Sequence, residues 1–160
     1  MDSYIRQLHN LCICHSISIC VAESCTSGKL ATSISSLPKS SSYFKGGIIA
    51  YQNIVKIEQL DIPSKIIEKE TAVSREVASA MAINVCKKFR ADFSLATSGY
   101  AGPSGGTRKN PIGVVYIAVA DKQGNIITER YFFKGTRSYI IHQATYEAIK
   151  LLYGEIKKIS

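Results

Sequence analysis

The chain has 160 residues, 46% of them hydrophobic and 20% charged, and its formal net charge is +8. This length and apolar content predict one folded domain over residues 1–160 and exclude a low-complexity disordered chain. No apolar run approaches the roughly 18 residues of a spanning helix, and Asp2 lies where a signal peptide is basic, so we expect a cytoplasmic protein without a membrane partner.

Hydrophobic periodicity predicts helices and strands that alternate along most of the chain. The predicted elements, in chain order, are a helix over residues 3–14, a strand over 17–22, a helix over 30–37, a strand over 47–51, a helical stretch to residue 60 that Pro63 interrupts, a helix over 74–90, strands over 93–97, 112–120 and 126–133, and a helix over 139–153. This alternation is typical of a sheet with helices on both faces.

The last two strands are predicted to form a hairpin, because Gln123-Gly124-Asn125 separates them. The run 112–120 carries no charge, which is typical of a strand buried on both faces. Segment 99–111 contains four glycines and two prolines, so we expect a long irregular loop there. Together these features predict an α/β fold: a three-layer α/β/α sandwich around a mixed five-stranded sheet with one antiparallel strand.

The basic residues are concentrated in the second half of the chain. Residues 1–80 hold eight Lys and Arg against seven Asp and Glu, whereas residues 81–160 hold twelve against five. We therefore expect the second half to face an anion, such as a nucleic acid, an acidic small molecule or a phosphorylated metabolite. The densest cluster, at 87–90, fits the last turn of a helix, where cations oppose the macrodipole.

The cysteines indicate neither a zinc site nor a disulfide framework, because no two form a C-x-x-C pair and no histidine stands at a matching spacing. They are Cys12, Cys14, Cys20, Cys25 and Cys86. This usage fits a reducing compartment, and we expect no metal.

The first candidate site is the polar turn over residues 23–28, between a predicted strand and a predicted helix. A serine in such a turn, here Ser24, can expose its hydroxyl beside main-chain N–H groups that could hold an oxyanion. The alternative is that Ser24, Thr26 or Ser27 only caps the helix.

The second candidate site pairs Tyr51, at a strand end, with Lys56 on the following helical turn. Because no histidine is suitably placed, a serine nucleophile here would need another base, and a lysine can serve once its pKa is lowered. Tyr51 could relay or orient the proton. The alternative is a surface lysine beside a half-buried tyrosine.

The third candidate site is the glycine-rich segment 97–109. It has neither the G-K-[ST] of a P-loop nor G-x-G-x-x-G spacing. Its glycines still allow successive N–H groups to bind a phosphate or carboxylate. A flexible connecting loop is the equally weighted alternative.

Four ordered motifs then point to one family. They are A-E-S-C-T-S-G at 22–28, G-G-x-x-x-Y-x-N-x-x-K at 46–56, A-V-S at 72–74, and S-G-Y-A-G-P-S-G-G-T at 98–107 with Pro111 and Gly113 following. In these motifs the chain resembles the nicotinamide-nucleotide amidohydrolase family, the C-terminal domain of the competence/damage-inducible protein CinA. The resemblance also implies a fold similar to anticodon-binding domains.

The resemblance implies that nicotinamide mononucleotide is deamidated to nicotinate mononucleotide and ammonia, without a metal or cofactor. Ser24 would be the nucleophile, assisted by Lys56 and Tyr51, with N–H groups of 25–28 holding the oxyanion. The implied substrate contacts are Cys25, Thr26, Ser27, Gly28, Ser98, Gly102, Ser104, Gly105, Gly106, Thr107 and Arg137. We expect a pyridine mononucleotide as the small-molecule partner, and a homo-oligomer.

The chain departs from the family pattern in four places. Ser27 replaces a usual glycine, Tyr100 a small apolar residue, Thr136 an aspartate, and Ile141 an arginine. These departures leave a catalytically impaired nucleotide-binding module as an alternative. The basic second half leaves RNA binding as a less favoured one, and Cys25 as nucleophile is a third.

Overall fold

A computed structural model describes residues 2–159 of the chain. Six helices and five strands are found in these residues, besides a short 3₁₀ turn at Ser40–Ser42. In chain order they are α1 Asp2–Cys14, β1 Ile19–Glu23, α2 Lys29–Ile34, β2 Phe44–Ile49, α3 Asn53–Leu60, α4 Ser64–Glu70, α5 Arg75–Phe89, β3 Phe93–Gly99, β4 Val114–Asp121, β5 Ile126–Phe132 and α6 Arg137–Lys157. No helix within residues 2–159 is long and apolar enough to cross a membrane.

The five strands form one sheet in the order β2-β1-β3-β4-β5. β1 pairs in parallel with both β2 and β3, whereas β4 is antiparallel to both of its neighbours. The predicted mixed sheet with one antiparallel strand is therefore confirmed. The hairpin is not the only antiparallel pair, because a loop rather than a crossover helix joins β3 to β4, and the chain can then only return beside β3 in the opposite direction.

Helices cover both faces of the sheet, which confirms the three-layer arrangement. On one face, α1, α2 and α6 pack against the branched residues Ile19, Val21, Leu95, Ile117 and Val119. On the other face, α3, α4 and α5 pack against smaller residues of the same strands, which include Ala22, Ala96, Ala118 and Ala120. Alternate residues of each strand face opposite layers, as the pleat requires.

Several predicted boundaries are wrong by a few residues, and one helix was not predicted. β2 begins at Phe44 instead of residue 47, α2 ends at Ile34 instead of residue 37, and α6 extends to Lys157. Pro63 does separate two helical segments, but it also stands immediately before α4, where a missing N–H costs nothing. The sequence pattern predicts only the break at Pro63 and not the helix that follows it.

The fold brings three chain segments together at one end of the sheet. Because β1, β2 and β3 are parallel, the turns that follow them meet at the same edge. Two main-chain hydrogen bonds continue the ladder past the strand ends, from Ser24 N to Thr97 O at 3.0 Å and from Ala50 N to Glu23 O at 2.7 Å. All three candidate segments start from this edge.

Candidate active site

A cavity of about 330 Å³ lies at this edge of the sheet. Six of the residues predicted from the sequence line it: Ser24, Cys25, Tyr51, Lys56, Ser98 and Arg137. Six further lining residues lie in the predicted segment 97–109 or in the quoted motifs but had no individual role: Asn53, Ala72, Val73, Gly99, Tyr100 and Ala101. The first two predicted sites thus form a single site, and the third contributes its strand end.

Ser24 and Lys56 are in direct contact inside this cavity. Lys56 Nζ lies 3.2 Å from Ser24 Oγ, and also donates to the main-chain carbonyls of Ala50 at 2.7 Å and Tyr51 at 3.3 Å. The lysine is only 1% exposed and the serine 9%. The alternative of a surface lysine is therefore wrong.

The charge on Lys56 is not neutralised by a carboxylate. None of the four ion pairs found within residues 2–159 includes it. Burial penalises its ammonium form and lowers its pKa from 10.5 to about 8. A substantial share of neutral amine therefore exists near physiological pH.

The turn that carries Ser24 is held by the side chain of Glu23, which is fully buried. Its carboxylate accepts hydrogen bonds from Thr26 Oγ1 at 2.6 Å and from Gly28 N at 2.9 Å. Ser27 N donates to Ser24 O at 3.2 Å. Two N–H groups of the turn are thereby used, whereas those of Cys25 and Thr26 donate to no other residue among residues 2–159.

Thr26, Ser27 and Gly28 lie outside the cavity lining. Thr26 is buried between Glu23 and Thr97, whose Oγ1 lies 2.8 Å from Thr26 Oγ1. Ser27 is exposed and adopts a left-handed backbone with φ of +50°, which explains why a glycine suits this position.

The Cys25 thiol lines the cavity but is buried, and burial raises its pKa to about 12. It therefore keeps its proton at neutral pH. This state lowers its reactivity, because the thiolate is the nucleophilic form of cysteine.

Tyr51 and Arg137 form the rim of the cavity. The Tyr51 side chain is 53% exposed, and its hydroxyl accepts from Arg137 Nη2 at 2.9 Å. Arg137 Nη1 donates to Gly102 O at 2.8 Å. It is the main-chain carbonyl of Tyr51, and not its hydroxyl, that contacts Lys56.

The glycine-rich segment after β3 lines the cavity at its start, through Tyr100 and Ala101. Ser104, Gly105, Gly106 and Thr107 are outside the lining, and Gly102 is linked to the cavity through the bond to Arg137. Ser98 donates to Ala72 O at 2.7 Å, so its hydroxyl hydrogen is engaged.

Asn110 anchors this segment to the rest of the fold. It is 2% exposed, donates from Nδ2 to Val73 O at 2.8 Å, and accepts from Tyr116 Oη at 3.2 Å. Its main chain pairs with Thr107 in both directions. The loop is thus held to the cavity wall at Val73.

Sequence reasoning predicted no role for Glu23, although it included it in the 23–28 turn, and it missed Asn110. A signal existed for Glu23, since an acidic residue at the end of an otherwise uncharged, buried strand needs several donors to be stable there. No comparable signal marked Asn110, because Val73 and Tyr116, which its side chain contacts, lie 37 and 6 positions away along the chain.

Two of the departures from the family pattern, Thr136 and Ile141, have structural roles in α6. Thr136 is the N-cap of α6, and its hydroxyl accepts from Tyr139 N at 3.3 Å. Ile141 is partly buried and packs against the core.

The fold and the cavity place the chain among the open α/β proteins whose ligand sites lie beyond the carboxyl ends of parallel strands. The sequence profile of the CinA C-terminal domain matches residues 1–156. The chain belongs to this family, as its motifs predicted.

Relatives agree with this assignment. A CinA-like protein of Prochlorococcus marinus subsp. pastoris is 48% identical over 123 residues, which make up 77% of this chain and 28% of that protein. A CinA-like protein of Leptospira biflexa serovar Patoc is 38% identical over 156 residues, or 98% of this chain and 37% of that protein. The chain spans about a third of the length of these curated relatives.

Solved structures confirm the predicted fold. The competence damage-inducible protein A of Klebsiella pneumoniae superposes with a TM-score of 0.93 at 25% identity, over 97% of this chain and 96% of that one. A CinA superfamily protein of Escherichia coli superposes with a TM-score of 0.89 at 30% identity, over 94% and 87% of the two chains.

Proposed function

We propose that the chain hydrolyses the carboxamide of nicotinamide mononucleotide to nicotinate mononucleotide and ammonia. The observation that carries this proposal is the buried contact of 3.2 Å between Lys56 Nζ and Ser24 Oγ. A serine hydroxyl becomes an effective nucleophile when an adjacent base takes its proton. The choice of substrate rests on the resemblance to nicotinamide-nucleotide amidohydrolases.

The surroundings of Lys56 suit both protonation states of its amine. A neutral amine has two N–H donors and one lone pair. The carbonyls of Ala50 and Tyr51 accept from the two donors, which leaves the lone pair for the hydroxyl proton of Ser24. After the transfer, the ammonium has three donors for three oxygen atoms, so neither state leaves a buried polar group unpaired.

In the first step, Ser24 Oγ forms a bond to the carboxamide carbon while its proton passes to Lys56. The carbonyl electron pair moves onto oxygen and gives a tetrahedral oxyanion. We assign the N–H groups of Cys25 and Thr26 as its donors, because those of Ser27 and Gly28 are engaged within the turn. Two N–H groups thus hold the oxyanion, instead of the four at residues 25–28 that the resemblance implied.

Collapse of the oxyanion breaks the carbon–nitrogen bond as Lys56 gives its proton to the leaving nitrogen. Ammonia departs, and an ester to Ser24 Oγ remains. A water molecule then attacks this ester and gives one proton to Lys56. The second collapse releases nicotinate mononucleotide, and the proton returns to Ser24 Oγ.

We assign Arg137, at the rim of the cavity, to the phosphate of the substrate. Its guanidinium uses two N–H donors for Gly102 and Tyr51 and has three left. Among the described residues that line the cavity, Lys56 and Arg137 are the cations and none is acidic. This charge favours an anionic substrate. The adjoining segment 103–107 would supply further donors to the phosphate.

Ser24 is preferred to Cys25 as nucleophile on two grounds. Lys56 contacts the serine hydroxyl directly, and the thiol keeps its proton because burial raises its pKa to about 12. We therefore expect Cys25→Ala to keep turnover within about threefold of the original protein.

One observation favours a second candidate, a nucleotide-binding module without turnover. Ile141 lies one helical turn after Arg137 and packs against the core, so α6 offers no second cation there. Calorimetry with nicotinamide mononucleotide separates the two: micromolar binding without product would identify the binding module, whereas turnover would exclude it.

The test of the proposed function is ammonia release from nicotinamide mononucleotide in metal-free buffer. We expect Ser24→Ala and Lys56→Met each to lower kcat at least about a thousandfold. The matched controls are Ser36→Ala and Lys65→Met, which alter exposed residues away from the cavity. Wild-type protein without activity, or Ser24→Ala with full activity, would contradict the proposal.

A further inference from the structure

Glu23 directly precedes the proposed nucleophile in the chain, and its carboxylate has no part in the mechanism above. Glu23 ends β1 and has no exposed surface. Its Oε2 accepts from Thr26 Oγ1 at 2.6 Å, Gly28 N at 2.9 Å and Leu30 N at 3.1 Å. Its Oε1 accepts from Ala31 N at 2.9 Å. Four donors thus compensate for the burial of a charge that has no ion pair within residues 2–159.

The hydroxyl network around Glu23 has a defined direction. Thr26 has one hydroxyl hydrogen, and the carboxylate takes it. In the 2.8 Å contact between the two threonine hydroxyls, Thr97 must therefore be the donor. Thr97 O also accepts from Ser24 N at 3.0 Å. The turn is thus fastened to β3 and to Glu23 on both sides of Ser24.

These contacts determine which N–H groups of the turn stay available. Glu23 takes that of Gly28, and the local turn takes that of Ser27. Those of Cys25 and Thr26 remain for a ligand. Because the carboxylate holds the turn from Thr26 to the first residues of α2, it restricts the backbone that carries Ser24.

We infer that Glu23 is a positioning residue: its carboxylate sets the 24–28 turn so that Ser24 Oγ meets Lys56 Nζ while the N–H groups of Cys25 and Thr26 stay free. This role rests on the proposed function. In Glu23→Gln the side-chain size is kept, but an NH₂ group faces N–H donors and the turn must shift. A shift of about 1 Å at a reacting group lowers the rate roughly a hundredfold.

Steady-state kinetics of Glu23→Gln give the first measurement. We expect kcat for ammonia release to fall about a hundredfold while KM changes less than about threefold, because the residue orients the nucleophile and does not contact the substrate. The matched control is Asp92→Asn. Asp92 is a partly buried carboxylate at the opposite end of β3 that accepts from Ser18 N, Ser18 Oγ and Lys122 Nζ. Asp92→Asn shows the effect of losing a hydrogen-bonded carboxylate far from the cavity, and its kcat should equal that of the wild type.

A substrate-independent measurement separates this role from the proposed function. Phenylmethylsulfonyl fluoride reports an activated serine, since Oγ bonds to sulfur, fluoride leaves and the hydroxyl proton passes to the base. Mass spectrometry should locate the label on Ser24 of the wild-type protein. Labelling of Glu23→Gln should be about a hundredfold slower, and that of Asp92→Asn unchanged.

The outcomes are distinct. Labelling of wild-type Ser24 without release of ammonia would contradict the proposed function and leave the role of Glu23 intact. A folded Glu23→Gln protein with labelling and kcat within threefold of wild type would overturn that role, and so would equal losses in Asp92→Asn. Absence of both labelling and turnover in the wild type would overturn both proposals.

If Glu23→Gln does not fold, Thr26→Val tests the positioning role instead. It removes one of the four donors and keeps the shape of the side chain. A labelling rate about tenfold below wild type would support the positioning role, and a rate within twofold would overturn it.

Discussion

The unusual state of Lys56 has a measurable consequence for stability. Its pKa is lowered from 10.5 to about 8 in the folded protein, so the unfolded chain binds the proton more tightly. The free energy of unfolding must then rise with pH between about 8 and 10.5, where only the unfolded chain keeps this proton. The cost of holding the ammonium in the fold is fully present below about pH 8.

The size of this effect follows from the shift in pKa. At about 1.4 kcal/mol per unit, a shift of this size corresponds to roughly 3 kcal/mol. Lys56→Met removes the titrating group, so the stability of wild type relative to the variant should rise by about that amount from pH 7.5 to 10.5. The variant also leaves the carbonyls of Ala50 and Tyr51 without their donor, at about 1 to 3 kcal/mol each. That loss does not depend on pH, so it does not affect how the difference in stability between the two proteins changes with pH.

Urea unfolding followed by far-UV circular dichroism is suitable, because the chain has no tryptophan. The buried thiol of Cys12, whose pKa burial raises to about 12, lowers stability above about pH 9 in both proteins alike. Lys65→Met, an exposed site, serves as control and should track the wild type. A Lys56→Met difference that stays flat within about 1 kcal/mol would refute the lowered pKa and, with it, the supply of neutral amine.

Three further outcomes are expected. The kcat/KM of the wild type, which reports the pKa values of the free enzyme, should rise about tenfold per pH unit below pH 8 and level off above it, since only neutral Lys56 accepts the proton; a flat profile from pH 6 to 9 would contradict its role as base. Arg137→Ala should reduce the preference for nicotinamide mononucleotide over its riboside about 10- to 150-fold in kcat/KM, as loss of a charge-assisted contact to phosphate predicts; equal losses for both compounds would place the phosphate elsewhere. Asn110→Ala should lower the free energy of unfolding by about 2 to 3 kcal/mol in urea, because Val73 O and Tyr116 Oη lose a buried partner, with exposed Asn10→Ala as the unaffected control.

The order of strands and helices was predictable because local patterns determine it. The uncharged run before Asp121 and the alternation of strands with helices were sufficient for β4 and for the three layers. α4 was missed because a proline both ends and begins helices, and its local effect does not distinguish the two cases.

The residues of the proposed catalytic pair could be predicted from the sequence, but their geometry could not. Sequence motifs placed Ser24, Lys56 and Tyr51 in one site, yet no pattern indicates that main-chain carbonyls hold the lysine or that the Tyr51 hydroxyl binds Arg137. Such contacts join segments up to 86 positions apart, and only the fold determines them. The homo-oligomer and the single domain over residues 1–160 stay predictions.

The two faces of the sheet differ in what they can accommodate during evolution. The α5 layer lies against alanines, including Ala96 and Ala118, whereas the α6 layer lies against Leu95 and Ile117. Ala96 and Ala118 are fully buried, so larger side chains under α5 would overpack the core, while smaller ones under α6 would leave a cavity. Substitutions in β3 and β4 should therefore rarely enlarge the side chains that face α5, and rarely shorten those that face α6. β3, whose end lines the candidate active site, is thus constrained on both of its faces.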